Sequence, residues 1–253
     1  MNFYGMYTLF AKEVWRFAKV PMQTLLTPVI TVLLYLVVFA SVLSVRAEVY
    51  PGVTYAQFLV PGLIIMAMVQ NAFANTSSSL FQSKQNGNVI FVLLAPLSGV
   101  EYYLAMVAAA VVRGLVVGAG VWLAAAWFVP TPVYNLGCVL LFAMIGNAVL
   151  GALGLISAIH ADKWDHIAAF QNFVILPLSF LSGVFYSIHD LPGIWPDVSR
   201  ANPFFYLIDG FRYGFLGTGD AHPLTGIIIG GLALIAVSLH CLWLLHTGYK
   251  LRA

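Results

Sequence analysis

Five lysines, Lys12, Lys19, Lys84, Lys163 and Lys250, could serve a phosphate cradle, but none follows a glycine, so the Gly-Lys-Ser/Thr ending of a Walker loop is absent. The six histidines, His160, His166, His189, His222, His240 and His246, include no HExxH pair for a zinc hydrolase. His160 and His166 flank Asp162 and Asp165, a grouping that suits either a metal ion or an ordinary polar loop; the loop reading is taken and no metal is expected. Cys138 and Cys241 fall in or beside apolar runs and read as packing residues. No catalytic residue is identified.

Arg113 is an isolated charge in an apolar stretch. On insertion scales such a residue costs about 2.5–3.5 kcal/mol. It has three readings: a structural group bonded to helix carbonyls or to Asn147 and Gln171, a lining of a polar path together with Asn71 or Asn147, or a side chain reaching for an interface. A protein that moved protons or sodium through its own spans would show membrane carboxylates, and the apolar runs contain none.

The elements that must position these residues follow from composition. Of 253 residues, 61% are hydrophobic and 8% charged, too little polar surface for a soluble domain. The charge-free tracts cover 20–45, 49–83, 114–161, 166–189 and 221–249, with a shorter one at 102–112. A helix needs about 20 apolar residues to cross a bilayer. The tract 114–161 is divided by Pro130, Thr131, Pro132 and Asn135. The result is an all-α polytopic membrane protein with six transmembrane helices, near 22–45, 56–78, 102–129, 137–159, 167–188 and 224–247. Little chain is left for a catalytic or nucleic-acid-binding domain, and no nucleic acid partner is expected.

An even count puts both termini on one side. With both in the cytoplasm, Lys12, Arg16, Lys19, Lys84, Lys163, Lys250 and Arg252 lie inside, against Arg46, Arg200 and Arg212 outside, as the positive-inside rule favours. No signal peptide is evident. Residues 2–20 read as an amphipathic helix lying in the interface, with Phe3, Met6, Phe10, Val14 and Phe17 on one face and Lys12, Arg16 and Lys19 on another, or else as a frayed lead-in. Gly114 with Gly118, Gly226 with Gly230, and Gly146, Gly151 and Gly154 let helix backbones approach, without saying which helices pair.

Two segments stand apart. In Phe81–Gly99 the turn Asn86–Gly87–Asn88 launches an apolar run, Val89 to Leu94, too short to cross and stopped at Pro96; it lies flat in the headgroups or docks on a partner. The stretch 181–217 is aromatic yet broken by Pro192, Pro196 and Pro203, which suits short re-entrant helices at the outer face, either a gate or an aromatic belt with turns.

The order Leu181-Ser182-Gly183, Leu191-Pro192, Asn202-Pro203 and Arg212 resembles the signature of the ABC type-2 exporter permeases. GVFYS at 183–187, GFRYGFLG at 210–217, FLVPGLI at 58–64 and LLAPLS at 93–98 are similar to small bacterial inner-membrane permeases that include the nodulation lipo-oligosaccharide exporter subunit. The resemblance covers nearly the whole chain and implies one permease domain over 1–253: a connecting helix at 2–20, a coupling segment at 84–96 that docks on the ATPase, and an extracytoplasmic gate segment at 189–217. It implies a bacterial inner (cytoplasmic) membrane location, a second permease chain, taken as a homodimer, and two copies of a separate ATP-binding-cassette ATPase. ATP and Mg belong to that partner, and no cofactor to this chain. Two places depart from the family pattern: Val89, Ile90 and Phe91 stand where acidic residues are frequent, and Ser187 replaces a common proline.

The expected function is ATP-driven export of an amphipathic substrate such as a glycolipid, lipid-linked saccharide or drug. Transmission is assigned to Asn86, Gly87, Leu93, Leu94, Pro96 and Leu97, and outer gating to Gly183, Phe185, Pro192, Asn202, Pro203 and Arg212. The intramembrane polar contribution is assigned to Asn71, Arg113 and Asn147. The rivals are an ion-coupled secondary carrier, which lacks the carboxylates and two-half symmetry it would need, and a non-transporting scaffold.

Overall fold

The computed structural model describes residues 2–43 and 48–250; the side chains of 40–43, 92 and 93 lie outside the described part, as do Arg46 and Arg252 of the charge count. The chain is all-α. Helix α1 spans Phe3–Ala18, α2 Thr27–Leu43, α3 Tyr55–Gln85, α4 Val89–Leu94, α5 Gly99–Ala126 and α6 Leu136–His160. Then come α7 Trp164–Phe170, α8 Leu176–Phe180, α9 Trp195–Ala201, α10 Pro203–Leu216 and α11 Pro223–Thr247.

Among the described residues, five helical segments are long and apolar enough to cross a membrane: Met22–Phe39, Tyr55–Gln85, Gly99–Ala126, Leu136–His160 and Pro223–Thr247. The span expected at 167–188 is shorter. There α7, a π turn over Gln171–Ile175 and α8 make a helical rod over 164–180, about 25 Å long at 1.5 Å per residue. Chain at Gly183 then takes a φ of +74°, where a residue with a Cβ would be strained. A second π turn, Met22–Leu26, opens the first span. Each π turn ends two residues before a proline, Pro28 or Pro177, whose missing N–H interrupts the ordinary ladder.

The second span was expected to end near residue 78, at the polar run Asn75–Ser79. Instead α3 continues to Gln85 and buries Asn75, Thr76, Ser77 and Ser79. The hydroxyls do not unwind the helix because Ser77 and Ser78 donate to the carbonyls of Phe73 and Ala74, at 2.8 and 2.6 Å. Thr76 donates outward to the Gly151 carbonyl of α6, at 2.7 Å. Thr54 and Gln57 form a capping box at the start of α3, and Ser98 with Glu101 does the same for α5.

Helix α3 is the centre of the bundle, packed chiefly on α6 and α5, while α10 closes one end against α6, α11 and α3. Close approach depends on glycine at several places, Gly154 and Gly114 among them. A Cβ at Gly154 of α6 would sit 2.5 Å from the Phe73 carbonyl oxygen and 2.2 Å from Thr76 Oγ1. A Cβ at Gly114 of α5 would overlap Asn147 of α6. By contrast α2 and α11 expose Leu34, Val37, Leu232, Ile235 and Leu239, the composition of surfaces facing lipid or a second chain.

Because the atoms facing Gly154 include backbone, Gly154→Val should destabilise the fold by about 1–3 kcal/mol or more. Thermal unfolding in detergent, followed with a thiol-reactive dye that reaches buried Cys241 only on unfolding, checks this in a Cys138→Ser background. Gly231→Ala, with open space around it, should melt like the parent.

Candidate functional site

Three polar stations lie along α3. At its C-terminal end, the Asn86 N–H donates to the Gln82 carbonyl at 3.0 Å, and Gly87, at φ +71°, makes the reversal that starts α4. Leu94 (78% exposed), Phe91 (72%) and Ile90 (56%) point away from the bundle, while Val89 packs against the core. Pro96 and Leu97 anchor the return: Asn2 donates from its side chain to the Pro96 carbonyl at 3.3 Å and from its backbone N–H to Glu101, and Leu97 packs over Gly5. Between α1 and α4 lies a groove of about 620 Å³ lined by Tyr4, Thr8, Lys12, Ser83 and Phe91 among others. The backbone of Leu93 belongs to α4, and its side chain lies outside the described residues.

Lys84 fixes this end to α6. Its ammonium donates to the carbonyls of Ala158, Ile159 and Ala161 at 2.9–3.1 Å, meeting the negative end of the α6 dipole. Next to it, Lys250 donates to both carboxylate oxygens of Asp162, which holds Asp162 below the usual carboxylate range and raises Lys250. This accounts for part of the polar loop His160–His166, where His160 Nδ1 lies 2.9 Å from the Ile156 carbonyl. Among the described residues, no group of three His, Cys, Asp or Glu could hold a metal ion.

The middle station corrects the expected surroundings of Arg113. Its guanidinium donates to Asn71 Oδ1 at 3.2 Å and to Asn75 Oδ1 at 3.4 Å, not to Asn147 or Gln171. Asn147 is fully buried against Gly114, and its amide has no hydrogen-bond partner among the described residues. Asn75 is shared with Arg16 of α1, which reaches its backbone and side-chain oxygens at 2.6 and 2.9 Å. The buried face of α1 therefore runs through Leu9, Glu13 and Phe17, not along a purely apolar stripe. Glu13 is fully buried there because Ser79 donates to one oxygen at 2.8 Å and Arg16 to the other at 3.0 Å.

The third station gathers most of the expected gate residues around Arg212. This guanidinium is fully buried, with its carbon 3.8 Å from the centre of the Phe58 ring. It donates to the carbonyls of Gly183 at 2.6 Å and Phe58 at 3.3 Å. Asp209 Oδ1 lies 3.7 Å from its Nη1, an ion pair without a hydrogen bond. Asn202 caps α10 at the Phe204 N–H and donates to the Leu178 carbonyl at 2.7 Å, with Pro203 as the first residue of α10. Phe185 packs on Phe180, Phe39 and Tyr35 while its carbonyl accepts from the Tyr55 hydroxyl. Pro192 stands apart on an exposed loop. Arg212 is thus held inside the protein fabric and does not line an opening.

The ABC-2 type transporter family profile matches residues 4–216. This chain belongs to that family. Inner membrane transport permease YadH of Escherichia coli strain K12 is 37% identical over 246 residues, covering 97% of this chain and 96% of the relative. Nodulation protein J of Rhizobium meliloti strain 1021 is 26% identical over 230 residues, covering 88% and 87%. Nodulation protein J of Rhizobium leguminosarum bv. trifolii is 25% identical over 232 residues. The chain is accordingly a multi-pass ABC-2 permease subunit and not itself the catalytic partner.

Several residues of this permease escaped sequence reasoning. Glu13 carried a signal, a lone acid four residues from both Leu9 and Phe17, that was given no role, and Arg16 was placed only with Lys12 and Lys19 on the second face of residues 2–20. Asp220 carried none. Its carboxylate accepts from Tyr50 and Ser187 hydroxyls, each at 2.7 Å, and from the Ile188 N–H at 2.8 Å, joining loops far apart in sequence. Burial and Asp220 push the Tyr50 phenol upward, although Arg212 opposes the shift.

Arg212→Met would strip a buried carboxylate and two carbonyls of their cation, a loss of about 3–5 kcal/mol. The dye-based melting temperature should fall by several degrees. Arg212→Lys should not restore it, because a single ammonium cannot span the Phe58 and Gly183 carbonyls as the fork does.

Proposed function

We propose that this ABC-2 permease is the membrane subunit of an ATP-driven exporter, moving an amphipathic substrate such as a glycolipid, lipid-linked saccharide or drug out of the cytoplasm or inner leaflet. A separate ATP-binding-cassette ATPase in two copies holds ATP and Mg, and a second copy of the permease completes the path as a homodimer. Counting the rod 164–180 as a span gives six, with both termini on the cytoplasmic side of a bacterial inner membrane, where Lys12, Arg16, Lys19, Lys84, Lys163 and Lys250 gather. Residues 2–20 act as the connecting helix, 84–96 as the coupling segment and 189–217 as the extracytoplasmic gate segment.

One observation carries this reading: α3 is a single helix, about 46 Å long at 1.5 Å per residue, with the exposed apolar α4 at one end and the Arg212 node at the other. Force applied to Phe91 and Leu94 by a closing ATPase pair reaches the Asn86–Gly87 turn and then a rod buried on nearly every side. Such a rod shifts as a body, since close-packed interiors deform little. Its far end carries Phe58 and Gly62, against which Arg212 is seated, and Arg212 also holds Gly183. Displacement at the coupling end therefore acts on the segment 183–217 without a continuous chain of charges.

The permease reconstituted alone should be inert with ATP and should move solute uphill only with its ATPase. Leu93→Asp with Leu94→Asp should lower ATP-dependent transport by about tenfold or more, about 1.4 kcal/mol of coupling, with membrane insertion intact. Unchanged transport and ATPase association in that variant would reject the docking role of α4.

A further inference from the structure

Arg16 and Arg113, from α1 and α5, converge on one neutral side chain, Asn75. Two guanidinium groups brought this close repel, and Glu13 does not balance both. Its Oε1 faces Lys12 at 3.2 Å and Ser79 at 2.8 Å, and its Oε2 is taken by Arg16 at 3.0 Å. Arg113 meets no carboxylate among the described residues. It has two amide oxygens at 3.2 and 3.4 Å, beyond or at the long end of N–H···O bonds, and its Nε is buried with no partner. Most of its N–H donors are therefore uncommitted.

The site is also open. Arg113 is half-buried, and Arg16 retains 27% of its side-chain exposure. On α3, otherwise buried nearly all round, Gln70, Asn71, Ala74 and Ser78 form a half-buried stripe at helical spacing. Three of the four are polar, and the Gln70 amide nitrogen has no partner among the described residues. Ser78 accepts from Arg16 at 3.2 Å, so the stripe begins at the arginine of the interfacial helix and runs toward Arg113 and Asn71. Lys12, on α1 one turn before Arg16, has a side chain 57% exposed at the same rim.

A pair of guanidinium groups with a single carboxylate, itself shared with Lys12, calls for an anion with several acceptor oxygens, and the planar fork matches phosphate. The exposed members Arg16 and Lys12 belong to α1, read from sequence as an interfacial helix, where lipid chains can stay in the bilayer while only the head enters.

We propose that Arg16, Arg113, Asn71 and Ser78 form a receptor for the phosphate group of an anionic lipid entering from the leaflet beside α1. The phosphate replaces the long amide contacts of Arg113 and neutralises the pair. This deepens the export reading, on which its meaning as a substrate site rests: the cargo class becomes a phosphate-bearing lipid and not a neutral glycolipid or a cationic drug.

The test uses the full-length permease, delipidated in a neutral detergent and without its ATPase, with dioctanoyl phosphatidic acid as probe. Dioctanoylglycerol and inorganic phosphate are the comparison arms, and bound lipid is read by native mass spectrometry. Phosphatidic acid should bind at least about tenfold more tightly than dioctanoylglycerol, and Arg113→Gln and Arg16→Gln should each remove most of that preference. Arg113→Lys, which keeps the charge but loses the fork, should retain part of it. Equal binding of the two lipids, or an unchanged preference in both glutamine variants, overturns the proposal. Displacement of the lipid by inorganic phosphate at equal concentration overturns the lipid as the source of the anion. If Arg113→Gln fails to fold, Arg16→Gln, on a helix outside the spans, and Asn71→Ala decide the matter by the same preference. A negative result bears on this site alone, because the export reading stands or falls on ATP-dependent transport in vesicles.

Discussion

A helix that buries Asn75, Thr76, Ser77 and Ser79 can stand at the centre of an apolar bundle only if most of their polar atoms are paired from within, since lipid supplies no replacement; of these side chains the Asn75 amide nitrogen has no partner among the described residues. The partners of α3 set the rest of the arrangement. Thr76 requires the Gly151 carbonyl, so α6 must lie close, and Gly154 makes that approach possible. Asn75 and Ser79 require Arg16 and Glu13, so α1 must press against this helix and cannot float freely at the interface. Phe58 and Gly62 at the opposite end seat Arg212, which fixes α10 and the turn at Gly183.

The same constraint explains why a permease can be rigid along its centre and adaptable at its two faces. The long helix has almost no free surface with which to bend. At one end α4 is left with apolar side chains in the open, and at the other the segment 187–220 is held by carboxylates and backbone N–H groups. Asp209 accepts from the N–H groups of Asp220 and Ala221, and Asp220 from Tyr50, Ser187 and Ile188. This chain of contacts joins three loops to α10 and hence to Arg212.

The comparison of residues read from sequence with their places in the fold divides by range of interaction. The turn Asn86–Gly87–Asn88 was legible, because a glycine at positive φ acts within a few residues, whereas Asn202–Pro203 was read only as a motif and its capping of α10 was not. The stop expected at Asn75–Ser79 was misjudged because a hydroxyl beside its own i−4 carbonyl loses its polar character locally. The span at 167–188 was overestimated because apolar content does not register the breaks after Phe180. Arg113 was recognised as needing partners; of those named Asn71 meets it, Asn147 and Gln171 do not, and Asn75 was missed, since Asn71, Asn75 and Asn147 are equivalent until the helices are rotated against one another.

Composition alone determined that this chain lives in a membrane as a bundle of helices and holds no nucleotide cradle of Walker type, because hydropathy and short motifs are sums over neighbouring residues. Order and spacing of small motifs carried the family, which the profile match over 4–216 shows. Tertiary structure decided which polar groups meet: Arg16 with Arg113 over Asn75, Arg212 with Phe58 and Gly183, Asp220 with Tyr50. Those pairings depend on how helices are turned and how closely glycine lets them approach, and neither quantity is written at any single position of the chain.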